Sequence, residues 1–373
     1  MHTMTTHTPI TRRSLLAQFV GAGLGSALPF AGLAQTPAGS SSPMVMADMH
    51  SHLGVVGRTR SPADLATEMR AHSATLVSWA VVADAPWLGN NVRGVVQTGE
   101  PTGAELWAFF EKTVATMRAY AEQNQLALVR TGVEVDAALA GRHSVVLASE
   151  SAEFLSGDVS GLRAAFDLGI RQMQLVHYIR TPIGDASTSE PVHKGLSDAG
   201  RELVGACEAL GILVDLSHCS AAAIDQALAA STKPLVWSHG WVHADSGSHR
   251  DSLGYLQRRL SMEQARKIAA RGGVVGLWGL GVRQPNAGYW NVGLQDRAGY
   301  VREVVKLINL IGADHVAFGS DIAGMGSEWA LNDYGHLREV VKLLEASKLE
   351  AATIEKVAYG NFARVLKATL PAA

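Results

Sequence analysis

Six side chains with metal-binding chemistry stand at the ends of five short apolar runs. The runs are Val45–His52 (VMADMHSH), Val145–Glu150 (VVLASE), Ile212–His218 (ILVDLSH), Leu235–His239 (LVWSH) and Val316–Asp321 (VAFGSD). They close on His50, His52, Glu150, His218, His239 and Asp321. Imidazole nitrogens and carboxylate oxygens are good ligands for divalent cations, and a carboxylate such as Glu150 can bridge two of them. Cations held in this way make water a nucleophile at neutral pH, so the chemistry expected is metal-assisted hydrolysis. A strand-end histidine taken singly is more often a structural residue. Four of them, converging with two acids, point to metal.

These side chains can meet only if the runs are neighbours that point the same way. An apolar run of this length reads as a buried strand, and parallel strands deliver their last side chains to one rim. Alternation along Asp48-Met49-His50-Ser51-His52 places both histidines on one side. Strand signals at about 44–50, 74–83, 144–150, 171–177, 212–218, 234–239, 273–279 and 315–320 recur along the chain. Helical periods lie between them at about 105–125, 135–140, 161–168, 198–210, 221–229, 262–271 and 296–311. The period 198–210 has its apolar face at Leu203, Val204, Cys207 and Leu210, and Gly211 stops it. Eight strands alternating with helices predict an α/β fold, a single (β/α)8 TIM barrel. Two last helices, at about 333–346 and 351–367, cover the barrel or close its base. Two connections are long for such a barrel: Asp84–Ala104, with Trp87, Asn90 and Asn91, and Gly281–Gln295, with Tyr289 and Trp290. Both follow strands, so they either shape a pocket on the rim or merely cap it.

Charge and cysteine use narrow the classes. The 373 residues carry a net charge of −2 and no basic tract, which leaves no electrostatic footprint for nucleic acid. The two cysteines, Cys207 and Cys219, fall in a helix and beyond the far end of the next strand, too far apart for a disulfide. No thiol cluster exists, so any metal ligands are nitrogen and oxygen. The N-terminus reads as a targeting segment. Paired Arg12 and Arg13 precede a Gly/Ala/Leu-rich stretch to Phe30 and the small-residue exit Ala31-Gly32-Leu33-Ala34. This pattern looks like a twin-arginine export signal over 1–34, cleaved near Ala34. Gln18, Pro29 and the glycines make the run a poor membrane anchor. A polar linker over 35–43 then leads to a hydrolase domain over 44–373. The expected partner is the twin-arginine machinery, and the expected location is the periplasm or the medium.

The motifs occur in an order that resembles membrane (renal-type) dipeptidases, dinuclear zinc hydrolases of the amidohydrolase superfamily. The resemblance rests on Asp48–His52, on Ser149-Glu150 with Phe154–Asp158, on Leu175–Tyr178, on Gly195–Ser197, on Val214–Ser220, on Trp237–His239 and on Phe318–Asp321. It runs from about Met46 to Leu366. It implies that His50 and His52 bind one zinc ion, that Glu150 bridges two, and that His218 and His239 bind the other. It further implies that His177 polarises the substrate and stabilises the oxyanion. Arg250, eleven residues past His239, is the implied contact to the substrate carboxylate. Asp321 is the implied handler of the proton at a metal-bridging hydroxide. The small peptide substrate would carry a free C-terminal carboxylate, a D-residue there would be accepted, and homodimers are common in the family.

One position departs from the family's most familiar pattern, which has aspartate where this chain has His52. Histidine remains a competent ligand, but the change removes a negative charge from around the ions. Such a site should attract anionic groups more strongly and acidify bound water further. Two rival readings stay open at this level: a hydrolase of another amide, lactam, lactone or ester, and a non-catalytic barrel that captures peptides.

Overall fold

The protein is described from a computed structural model over residues 43–55, 64–92, 94–251, 256–280, 296–324 and 330–373. Eight parallel strands form its centre: β1 (Met46–Ser51), β2 (Ala74–Val82), β3 (Ser144–Glu150), β4 (Ile170–Gln174), β5 (Leu213–Asp215), β6 (Val236–Trp237), β7 (Val274–Leu277) and β8 (Val316–Phe318). Each pairs in register with the next along the chain. The ring closes just past the strand ends. His52 N–H donates to Ile322 O at 2.9 Å, and Asp321 N–H donates to His50 O at 2.9 Å. The result is the (β/α)8 barrel that the alternating pattern predicts.

Helices lie between the strands as expected: α2 (Gly103–Gln123), α3 (Gly132–Leu139), α4 (Leu162–Asp167), α5 (Asp198–Leu210), α6 (Ala221–Ala230), α7 (Met262–Ala270) and α8 (Arg297–Ile311). Helix α5 shows why the sequence could be read here. Ser197 caps its start by accepting from Gly200 N–H, Leu203, Val204 and Cys207 are buried, and Gly211 ends it at φ 78°. That left-handed backbone suits glycine, which has no Cβ to clash. One further helix, α1 (Leu65–His72), lies where the hydrophobic pattern carries no helical period. It spans eight residues and buries only Leu65, Ala66 and Met69, so its period is too short to stand out.

The two ends of the barrel differ. At the base, Phe362, Ala363 and Leu366 of the C-terminal segment pack against Ala47, Met49, Leu76, Val146, Leu213, Val236, Val274 and Ala317, which come from seven strands. Asn361 Nδ2 fastens that segment to Ala313 O and Val316 O at 2.7 and 2.8 Å. Helix α9 (Tyr334–Glu345) packs instead beside α1 and α8, in the outer ring. At the opposite rim, the connection after β2 forms a hairpin, Leu88–Asn91 with Gly94–Gln97. The connection 281–295, with Tyr289 and Trp290, lies outside the described residues, as do residues 1–42, on which the expected export signal and most of the expected linker fall. Cys207 and Cys219 are free, buried thiols.

Candidate metal centre

Several strands end earlier than their apolar runs do, and that difference builds the site. The runs suggest strands to 177, 218 and 239, whereas β4, β5 and β6 stop at Gln174, Asp215 and Trp237. The histidines that follow leave the ladder and turn inward. His218 does so with left-handed backbone (φ 67°), and so does Asp321 (φ 53°); Ser151, just after Glu150, stands at φ 113°. Non-glycine residues adopt such conformations at a cost, and they collect where surrounding structure holds them for function. Close approach matters as well. A Cβ on Gly319 would stand 1.6 Å from Ser238 O, so only glycine lets the end of β8 lie against the end of β6.

Glu150 is the hub. Its Oε2 lies 3.0 Å from His52 Nε2. Its Oε1 lies 3.1 Å from His218 Nε2, 3.4 Å from His50 and His239 Nε2, and 3.5 Å from His177 Nε2. His50 and His52 bring their Nε2 atoms within 2.9 Å of each other. Asp321 Oδ1 completes the group, 3.3 Å from His52 Nε2 and 3.9 Å from His50 Nε2. All these residues are buried.

Electrostatics show what such a cluster requires. Burial pushes the Glu150 carboxyl up, but the surrounding His177, His52 and His50 outweigh it and hold the group well below the usual range. Burial also disfavours the charged form of His52, yet Glu150 and Asp321 raise it to about 10. His218 is driven well below its ordinary value and His239 down to about 4, burial being the first cause for both. His218 and His239 are thus favoured in the neutral form that offers a lone pair, while Glu150 and Asp321 favour the protonated form of His52. A divalent cation replaces such protons when it binds.

The donor set fits metal. Three groups have their donor atoms within 4.8 Å of one another: His50 with Glu150 and His239, His50 with His52 and Asp321, and Glu150 with His177 and His218. His52 Nδ1 lies 2.9 Å from Ala80 O. A carbonyl can only accept, so Nδ1 carries hydrogen and Nε2 faces the centre, the arrangement in which histidines bind metal. All donors are nitrogen or oxygen. The nearby Cys219 thiol is pushed up by burial and does not enter the set.

The family model described as "Membrane dipeptidase (Peptidase family M19)" matches residues 44–372. The chain belongs to this family. Among curated relatives it is 31% identical over 229 residues to dipeptidase tcpJ of Claviceps purpurea, covering 61% of this chain and 51% of that protein. An uncharacterised Klebsiella pneumoniae protein encoded in the pqqA 5′ region is 31% identical over 227 residues, 58% of this chain and 79% of that one. The match thus spans about half the length of the Claviceps relative. Solved structures share the fold. A metallopeptidase described as dipeptidase AC of family M19 superposes with a TM-score of 0.72 at 21% identity, over 89% of this chain and 100% of that one. A Rhodobacter sphaeroides metallopeptidase, bound to a phosphinate mimic of the dipeptide L-Ala-D-Ala, gives 0.70 at 22%, over 88% and 100%.

The barrel of this M19 member brings His50, His52, Glu150, His177, His218, His239 and Asp321 to one place. Arg250 is not among them. It is exposed on the loop after β6, its N–H directed at Ser248 Oγ. The arginine that reaches the centre is Arg258, buried, with Nη2 3.0 Å from His239 Nε2. Eleven residues past His239 the chain reaches the exposed Arg250, and nineteen past it the buried Arg258. Glu153, three residues past Glu150, is buried and accepts His177 N–H at 3.1 Å. Burial, then Asp84, drive its carboxyl well above the usual range. Asp84 was missed altogether. It lies 2.7 Å from His177 Nδ1 and accepts from Tyr178 and Ile179 N–H at 3.2 and 3.3 Å. An acid at the end of the second apolar run was the available signal. His193 and His243 do stay out of the site, bonded to Thr181 O and to Asp245 respectively.

Proposed function

We propose that this chain is an exported, dinuclear zinc dipeptidase that hydrolyses dipeptides bearing a free C-terminal carboxylate. One observation carries the reading: the Glu150-centred ligand set lies between a buried acid, Asp321, whose Oδ1 faces His52, and a buried arginine, Arg258, whose Nε has no partner among the described residues. Family membership and the peptide mimic bound by the Rhodobacter metallopeptidase support the same substrate class.

His50, His52, Glu150, His218 and His239 would hold two divalent cations, which when bound supply Lewis acidity to water and to the scissile carbonyl. Arg258 presents a planar fork to the substrate carboxylate, and its burial makes each charge-assisted hydrogen bond count for more. Tyr178, which hydrogen-bonds Arg258, holds that fork in place. Asp321 Oδ1 accepts the proton of the attacking water and returns it to the leaving amine. His177, its Nδ1 fixed by Asp84, turns Nε2 toward the centre to donate to the developing oxyanion. A barrel that only captured peptides would have no use for a buried carboxylate aimed at the centre beside the ligands.

The test is metal analysis of the purified protein, with turnover measured on L,L- and L,D-dipeptides, their amidated forms and simple lactones, with and without chelator. Two equivalents of zinc and chelator-sensitive cleavage confined to free-acid dipeptides are expected. Equal turnover of amidated peptides, or of lactones, would overturn the carboxylate requirement. No described helix is long and apolar enough to cross a membrane. Export is tested by N-terminal sequencing of protein from the periplasm of producing cells: a start near Gln35 is expected, and an intact Met1 in the cytoplasm would refute it.

A further inference from the structure

We propose that Trp278 is a positioning residue that sets both the proton-handling acid and the carboxylate-binding arginine of the centre. This rests on the function proposed above, and four contacts carry it. Trp278 directly follows β7 and is buried. Its Nε1–H donates to Asp321 Oδ2 at 2.7 Å. Its ring bears the Arg258 guanidinium at 5.0 Å from the centroid, with Trp241 packed against it at 5.2 Å. Its own N–H is anchored on Gly240 O at 2.9 Å, in the turn just after His239.

The hydrogen bond selects one oxygen of Asp321. A carboxylate rotates easily about its last torsion, which is broad and nearly two-fold. Asp321 also stands on left-handed backbone beyond the end of β8, so the strand does not aim its side chain. With Oδ2 engaged by the indole, Oδ1 is the oxygen turned toward His52 and His50, 3.3 and 3.9 Å from their Nε2 atoms. That is the geometry a proton acceptor needs: one oxygen held, the other fixed in direction toward the centre. The same indole offers its face to Arg258, an attraction that strengthens when water is excluded. One side chain therefore fixes the distance between the group that binds the substrate's acid end and the group that moves the proton. A phenylalanine could fill the space but could not hold the carboxylate.

Three variants separate these roles. Trp278→Phe keeps a ring under Arg258 and removes the donor. It is expected to lower kcat about 10- to 100-fold, the range for a lost hydrogen bond to a charged group, with KM within about threefold and zinc content unchanged. Trp278→Leu removes the ring as well and should raise KM by a further ~3- to 10-fold. Wild-type kcat in Trp278→Phe, or a change in KM alone, would overturn the proposal. A second readout does not depend on turnover. The indole N–H resonance of Trp278, identified by its loss in Trp278→Phe, should exchange slowly with solvent and shift in Asp321→Ala. An indole signal that exchanges freely, or is unmoved in Asp321→Ala, would refute the positioning role whatever the protein hydrolyses. Failure of the wild type to cleave any dipeptide would refute the proposed function while leaving this spectroscopic arm decisive for Trp278.

Discussion

The β1–β8 side of the centre and the β5–β6 side use the same fastening but end in opposite charges. On the first side, Asp48 Oδ1 accepts from His50 N–H at 3.2 Å and, across to β8, from Ser320 N–H at 2.9 Å. On the second, Asp215 Oδ1 accepts from Ser217 N–H at 3.0 Å and, across to β6, from Ser238 N–H at 3.0 Å. Each buried aspartate thus ties two strand ends together beneath the residues that face the cations. Above the staples the sides diverge. The β1–β8 side carries two histidines from one strand and the acid Asp321, whereas the β5–β6 side carries one histidine after each strand and the cation Arg258. The staple positions the candidate ligands; on the proposed function, what stands beside them divides proton transfer from substrate binding.

The contrast also reaches the histidine rings. His52 is oriented by Ala80 O and His239 by Ser238 Oγ, at 2.9 Å each. His50 Nδ1 and His218 Nδ1 are buried without a partner among the described residues. Those two rings owe their placement to backbone, to stacking and to Glu150. His50 stacks on His239 at 4.1 Å between centroids, and His218 meets His177 edge to face at 4.3 Å. An ordinary value of Asp48 is also shifted: burial raises its carboxyl to about 6, against the pull of Ser320 and His50.

The division of charge gives the largest expected effect. Arg258→Met should raise KM for free-acid dipeptides about 100-fold while the already exposed Arg250→Ala changes it less than about threefold, as steady-state kinetics would show. Equal effects would mean that the β5–β6 side does not bind the acid end. The staples come next. Asp48→Asn and Asp215→Asn are each expected to weaken metal binding by about 10- to 100-fold in zinc titrations, the range for partners that orient ligands. If the staples act separately, each variant loosens one equivalent and spares the other; joint loss would show a single coupled site. Gly319→Ala should then cost about 1–3 kcal/mol of stability in denaturant unfolding, because its methyl meets Ser238 O where the sides touch.

The smallest effect concerns Glu153, beside the hub that both sides share. Its carboxyl titrates higher in the folded protein than its ordinary value of 4.5, so the native state holds the extra proton. Stability attributable to this group therefore falls as pH rises above about 4.5. Glu153→Gln should raise Tm by about 2–4 °C at pH 8 and leave it unchanged near pH 4. A gain that is the same at both pH values would show that folding does not shift this carboxyl.

Much of this was legible in the sequence, for identifiable reasons. Strand-end ligands announce themselves because a buried strand is a run of apolar residues and a polar terminus interrupts it, as at His52, Glu150 and His239. Helix α5 was legible in its face and its stops because Ser197 and Gly211 mark local backbone chemistry. Helix α1 was not, since its few buried positions never complete a period. Glu153 and Asp84 did not stand out in the sequence because burial is not a property of a residue's neighbours along the chain.

What the sequence determined by itself was the alternation of strands and helices, the ligand types and their order, since these depend on hydrophobic period and donor chemistry within a few residues. What only the tertiary structure decided was which arginine faces the ligands, which carboxylates are buried, and that Trp278 binds Asp321 across 43 residues. These depend on loop paths and on contacts between distant strand ends, where spacing along the chain no longer measures distance in space.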